Sequence, residues 1–215
     1  MKEERDGKKN VLLLGLSSLF NDIGSEIIMP ILPLFLLSFG AGGLVIGIIG
    51  GLRDGLANLV KFIFGYLSDK TSKRKNFVVG GYFTSSISKL LLMASTAWSH
   101  VLIFTSLDRI GKGIRDAPRD VIVAESMAKH KSAGFGLHRS LDALGGVIGS
   151  ILVIFLFWYF KFSFFTIILI AGIISIFSII PLVMVKDLKT PYSFKKDDFK
   201  LHLCWATGLW KGHSS

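Results

Sequence analysis

The residues able to do chemistry in this chain are charged, and they sit where the sequence is otherwise apolar. The densest group is RIGKGIRDAPRD, residues 109–120, which carries Arg109, Lys112, Arg115, Asp116, Arg119 and Asp120, with Asp108 just before it. It lies inside an apolar segment long enough to span a bilayer. A charge at that depth costs about 2.5–3.5 kcal/mol on insertion scales unless it faces a protein interior or a water-filled cavity. These side chains must therefore face partners, water or a solute. Asp108 and Lys112, and Lys112 and Asp116, are four residues apart and can pair along a helix. Arg115 and Arg119 are like charges at the same spacing, so they need acids from elsewhere or an anionic solute. Pro118 is expected to kink the helix between them. A second pair, Asp22 and Glu26, shares one helical face in FNDIGSEIIMPILP. Asp22 falls about 11 residues, ~16 Å, past the start of its apolar segment, near a bilayer midplane. A carboxyl there is a candidate proton or cation site. A structural carboxylate paired with an arginine of another helix is the alternative.

Other chemistries lack their residues. RIGKGIR has a Gly-Lys pair but no Ser or Thr after the lysine, which a phosphate-binding loop requires. The single Cys204 leaves no internal disulfide and no multi-cysteine metal site. The histidines are too few and too peripheral for paired haem ligation. His138 reads as a polar residue at a helix entrance. Asp54, Gly55, Gly65 and Asp69 echo a phosphatidyltransferase motif, but Asn58, Leu59 and Lys73 stand where that motif has an Ala-Arg pair and a later Asp. No enzyme activity, metal or cofactor is expected.

The elements that must position the charges are membrane helices. Of the 215 residues 51% are hydrophobic and only 19% charged, more apolar than a soluble domain. Mean hydropathy is +0.57. Six apolar segments can be drawn, at about 11–39, 44–67, 77–97, 101–127, 134–160 and 163–185, each near the ~20 residues a bilayer needs. The net charge of +10 would suggest nucleic acid in a soluble protein. Here the basic residues sort to one side instead: Lys2, Arg5, Lys8 and Lys9 before the first segment, Lys70, Lys73, Arg74 and Lys75 after the second, Lys129 and Lys131 after the fourth, Lys186, Lys189, Lys195 and Lys196 after the sixth. Only Lys161 falls opposite. The positive-inside rule then places both termini in the cytoplasm of a multi-pass plasma-membrane protein. An odd number of spans would destroy the sorting. Nucleic-acid binding is not expected. The run after Lys9 is longer than a signal-peptide core, so the first helix is expected to remain in the membrane.

Three stretches carry a family resemblance. GYLSDKTSKRK, with Gly65, Leu67, Asp69, Lys70, Lys73 and Arg74, resembles the loop signature between the second and third helices of the major facilitator superfamily, with Ser72 in place of its second glycine. Arg109-x-x-Lys112-Gly113 resembles that superfamily's fourth-helix R-x-x-Q-G, with lysine replacing glutamine. Gly145, Gly146 and Gly149 resemble the fifth-helix motif of its antiporters, with Ser150 where proline is expected; close helix packing is the role the glycines themselves support. The resemblance covers about residues 10–200. It implies an all-α polytopic fold: six transmembrane helices, half of a major facilitator fold, built from two three-helix inverted repeats.

By that resemblance Arg109 is linked to proton coupling and Asp69 to a cytoplasmic gate. The expected coupling set is Asp22, Glu26, Arg109 and Lys112, with Arg109 as charge partner of the two carboxylates. The expected gate set is Gly65, Asp69, Lys70, Lys73, Arg74, Arg115, Asp116, Arg119, Asp120, Arg139 and Asp142, with Arg119 and Asp120 meeting Asp69. Arg139 and Asp142 are three apart and can pair. The implied function is proton-coupled secondary transport of a small solute by alternating access. The implied partners are lipid, the solute, protons and either a missing C-terminal half or a second copy. A non-transporting half-size scaffold or dimerising subunit is the competing reading. The sixth segment reads as lipid-facing scaffold. Residues 1–10 are expected to be a cytoplasmic N-terminus, 11–186 the bundle, and 187–215 a polar linker followed by the start of a truncated seventh helix or an interfacial tail held by Trp205 and Trp210.

Overall fold

The computed structural model describes residues 2–71 and 73–186. The tail expectations for residues 187–215 lie outside the described residues. Six long helices follow the six apolar segments: α1 (Lys2–Ser38), α2 (Gly43–Thr71), α3 (Arg74–Leu92), α4 (Trp98–Ser126), α5 (Lys131–Ile154) and α6 (Phe164–Ile176), then a short α7 (Ile179–Val183). The fifth segment ends in a π turn, Phe155–Tyr159, and the sixth breaks between α6 and α7. No strand occurs among the described residues.

Local chemistry marks the turns. Gly40, at φ +74°, takes the left-handed conformation that reverses the chain after α1. Lys161 adopts a positive φ of 52° at the α5–α6 reversal. Ser163 then caps α6 by accepting from the backbone N–H of Thr166.

α1 begins nine residues earlier than its apolar run, so basic and acidic residues near the N-terminus extend the helix beyond that run. It is also the central helix. Its apolar stretch is 61% buried, against 18% for α2 and 17% for α5. α2 and α5 expose Leu44, Phe62, Tyr66, Val147 and Ile151 instead. Apolar faces of that extent require lipid or protein cover. α6 is not purely scaffold: Ile167, Ile168, Ala171 and Ser175 are buried against α1 and α3.

Four helical stretches are long and apolar enough to cross a membrane, carried by α1, α2, α5 with its π turn, and α6–α7. α3 and α4 fall short of that apolarity because they hold buried charge. They pack on each other through glycine. A Cβ on Gly81 would meet Gly111 O at 2.6 Å, and one on Gly111 would meet Gly81 O at 2.7 Å, so the backbones touch there. Gly113 approaches Ala57 of α2, and Gly145 and Gly149 approach the backbones of Leu19 and Ile23 of α1, the close packing that their spacing suggested.

The core is layered. Val11, Leu14, Val78, Tyr82, Ile122 and Val123 form one apolar cluster toward the N-terminal end of α1. Ile27, Ile31, Phe35, Leu92, Val101 and Ile167 form the other. Between them, on α1, α3 and α4, lie the polar residues.

Candidate functional site

The polar layer divides into two linked clusters. In the first, one carboxylate is shared by two cations. Lys89 Nζ lies 3.0 Å from Asp108 Oδ1, and Arg109 Nη2 lies 2.8 Å from Asp108 Oδ2. Ser85 Oγ donates to Asp108 Oδ1 at 2.5 Å. Lys89 also donates to Asn21 Oδ1 at 3.1 Å and to Ser85 Oγ at 2.8 Å. Asp108 thus accepts three charged or polar donors, which offsets the cost of burying its charge. Lys89, 2% exposed, is the residue that the sequence reading overlooked. Its signal was available: a lone lysine inside the apolar segment SSISKLLLMAS meets the same criterion that singled out residues 109–120.

The second cluster lies about two to three turns along α4. Arg115 is 1% exposed. Its Nη2 is 3.7 Å from Asp22 Oδ1, its Nε 3.8 Å from Asp116 Oδ1, and its guanidinium carbon 4.0 Å from the centre of the Tyr82 ring. The cation–π contact satisfies a face that no carboxylate reaches. Arg119 Nη1 donates to Ser18 Oγ at 3.0 Å and lies 3.4 Å from Asp116; its Nη2 is 3.3 Å from Asp120. Ser18 Oγ is also 2.8 Å from the Tyr82 hydroxyl and 3.3 Å from His138 Nε2. His138 is therefore a buried member of the polar layer and not an entrance residue. Lys61 of α2 reaches Asp120 at 3.6 Å. Asp142 of α5 lies on the helix that packs against the Asp22 side of α1. Arg139 Nη1 stands 3.5 Å from Asp142 Oδ2, the pair expected from their spacing.

Several partners differ from the expected ones. Asp22 takes Arg115, not Arg109, which pairs with its neighbour Asp108. Glu26 is half-buried against Gly149 and has no ion pair or hydrogen bond among the described residues. Lys112 likewise has no ion pair there; Asp108 and Asp116 turn instead to Lys89, Arg109, Arg115 and Arg119.

The loop end of the bundle holds a separate constellation. Arg74 Nη2 lies 3.6 Å from Asp69 Oδ1, and its Nη1 donates to Glu125 Oε1 at 2.5 Å. Asp69 thus joins α4 through Arg74 and Glu125, and not through Arg119 and Asp120, which belong to the second cluster. Glu125 was not singled out from sequence, having no motif of its own. Gly65 packs on α4, where a Cβ would sit 3.2 Å from Ala117 Cβ. Lys70 and Lys73 are exposed. Nearby, Lys75 Nζ donates to the carbonyls of Val185 and Val183, and Asn10 exchanges two hydrogen bonds with the backbone of Lys186. These bonds fasten the exit of the last helix to α1 and α3.

The family model described as Major Facilitator Superfamily matches residues 14–211. An MFS-type transporter of Methanocaldococcus jannaschii is 49% identical over 194 residues, covering 90% of this chain and 49% of that protein. A protein of Mycobacterium bovis is 27% identical over 145 residues, 66% of this chain and 35% of that one. The chain thus spans about half the length of its archaeal relative. Among solved structures, a peptide transporter crystallised with sulfate superposes with a TM-score of 0.73 at 16% identity, covering 94% of this chain and 44% of that one. That likeness shows the shared fold: this bundle corresponds to one six-helix half. The chain belongs to the Major Facilitator Superfamily.

Proposed function

We propose that this chain is the N-terminal half of a secondary active transporter that moves a small solute by alternating access and couples it to protons. Both termini lie in the cytoplasm. The exposed faces of α2 and α5 are covered by a C-terminal half, and the solute passes between the halves.

The observation that carries the coupling is the contact of Asp22 on α1 with the buried Arg115 on α4. A proton taken up by Asp22 would neutralise the charge that Arg115 faces. Arg115, 3.7 Å from Asp22, competes with that proton for the carboxylate. Proton loss strengthens the pull of Arg115 on α1; proton gain relaxes it and lets α1 and α5 shift against α4. Glu26, one turn further along α1, is a second carboxyl on the same face. Arg109 and Lys112 act from α4 on the solute side. At the cytoplasmic end, Asp69, Arg74 and Glu125 hold the gate, and the Arg119–Asp116–Asp120 pairs stiffen α4 behind it.

The test needs no knowledge of the solute. In the complete two-half protein, with Cys204→Ser, a Tyr66→Cys label site at the cytoplasmic end of α2 reports opening by its maleimide reaction rate in membrane vesicles. The rate should differ between acid and alkaline pH. Asp22→Asn should abolish most of that difference, and Glu26→Gln should reduce it. If both variants keep the parental pH response, the carboxylates are structural.

The exposed α2 and α5 faces also allow a second reading, a half-size subunit covered by a second copy. Cross-linking of the purified chain in membranes separates the two: a discrete dimer supports the second reading.

A further inference from the structure

One small cavity of about 20 Å³ opens at the outer side of the polar layer. Ser25, Arg53, Lys89, Thr105, Asp108 and Arg109 line it, with apolar side chains of α1, α3 and α4 around them. In its charged wall Lys89 and Arg109 face a single carboxylate, Asp108. Arg53, Lys89 and Arg109 are each more than nine-tenths buried. Asp108 is already shared between Lys89 and Arg109. On Arg109 only Nη2 is engaged, and Nε is buried with no hydrogen-bond partner among the described residues. Arg53 donates to the sulfur of Met29.

A buried guanidinium edge left without an acceptor is costly, and a second cation on the same carboxylate compounds the deficit. An anion entering the cavity removes both costs. The volume has room for about one oxygen of such an anion, the rest of the group lying at the mouth. We propose that this cavity recognises an anionic oxygen group, a carboxylate or an inorganic oxyanion, so that the solute of the transporter proposed above is an anion whose charged group seats on Arg109 and Lys89. Asp108 is the resident counter-ion that holds the two cations in place between occupancies. The rest of the solute extends out of the cavity, since no room for it exists within. The inference rests on the transport reading only for the word solute; the anion site stands on the cavity itself.

Equilibrium dialysis of the complete protein in detergent, with labelled acetate and labelled inorganic phosphate as probes and labelled choline as the cationic control, tests it. At least one anion should bind saturably and choline should not. Lys89→Gln should weaken binding about tenfold or more, the loss of one charged hydrogen bond, while Lys89→Arg should retain it. Asp108→Asn gives the opposed sign. It keeps the side chain's shape, removes the competing carboxylate, and should tighten the anion. A salt bridge serving only to hold the fold would show no such gain. Absence of saturable binding by both anions overturns the proposal, as does choline binding in their place, or weaker binding by a folded Asp108→Asn protein. Preference for acetate assigns a carboxylate and preference for phosphate an inorganic oxyanion. Binding without movement of the label into vesicles sinks the transport reading and leaves the site standing.

Discussion

Replacing Gly111 with alanine tests how packing controls the polar layer. Gly111 sits where α3 and α4 cross, and a Cβ there would lie 2.7 Å from both Gly81 O and Ser85 N. Ordinary contact begins at 3.4 Å, so the helices must part by about 0.7 Å. Neither neighbour is a side-chain end that can swing away; both are backbone. Overpacking of this kind costs about 1–3 kcal/mol. The displacement is also felt by the charges. Ser85 donates to Asp108 at 2.5 Å and Lys89 pairs with it at 3.0 Å, both across the same crossing. Parting the helices weakens these contacts and adds about 1 kcal/mol for each hydrogen bond lost. With both lost, the total expected loss is about 3–5 kcal/mol. Unfolding by SDS titration in mixed micelles, followed by circular dichroism, measures it. Gly47→Ala is the control, because a Cβ there meets nothing within 4 Å. If Gly111→Ala unfolds at the same SDS fraction as Gly47→Ala, the crossing does not set the geometry of the layer and the reasoning fails.

Other perturbations follow from the same contacts. Arg115→Gln leaves Asp22 short of its cation and removes the Tyr82 contact, and should cost about 3–5 kcal/mol; adding Asp22→Asn should recover part of it in the same SDS titration. In a double-mutant cycle, Arg74 should couple more strongly to Glu125, at 2.5 Å and 16% exposed, than to Asp69, at 3.6 Å and 39% exposed. The expected values are about 1.5–3 kcal/mol for the first pair and under about 1 kcal/mol for the more exposed second; equal couplings would refute the ranking. Asn10→Ala removes both hydrogen bonds to Lys186 and should speed proteolysis at the exit of α7, with a stability loss of about 1–2 kcal/mol; unchanged proteolysis would show that the clasp is idle.

The sequence by itself determined the six helical segments, their all-α class and the family. Hydropathy is summed along the chain and needs no knowledge of partners, so the apolar runs and their breaks could be read directly. It also located the charged stretch on α4 and the Asp22–Glu26 face of α1. The partners of those charges were decided only by the tertiary structure. Arg109 and Arg115 are six residues apart, about 240° around a helix. Which of them meets Asp22 depends on how α4 is rotated. That rotation is set by backbone contact at Gly111 and Gly113, and no periodicity in the charges encodes it. The same holds for Arg74 meeting Glu125, and for α5 meeting α1 where Gly145 and Gly149 approach the backbones of Leu19 and Ile23. Lys89 shows the other limit. Its charge was visible in the sequence, but only the folded chain shows that the lysine shares one carboxylate with Arg109 beside an open cavity, because burial and distance arise when three helices pack.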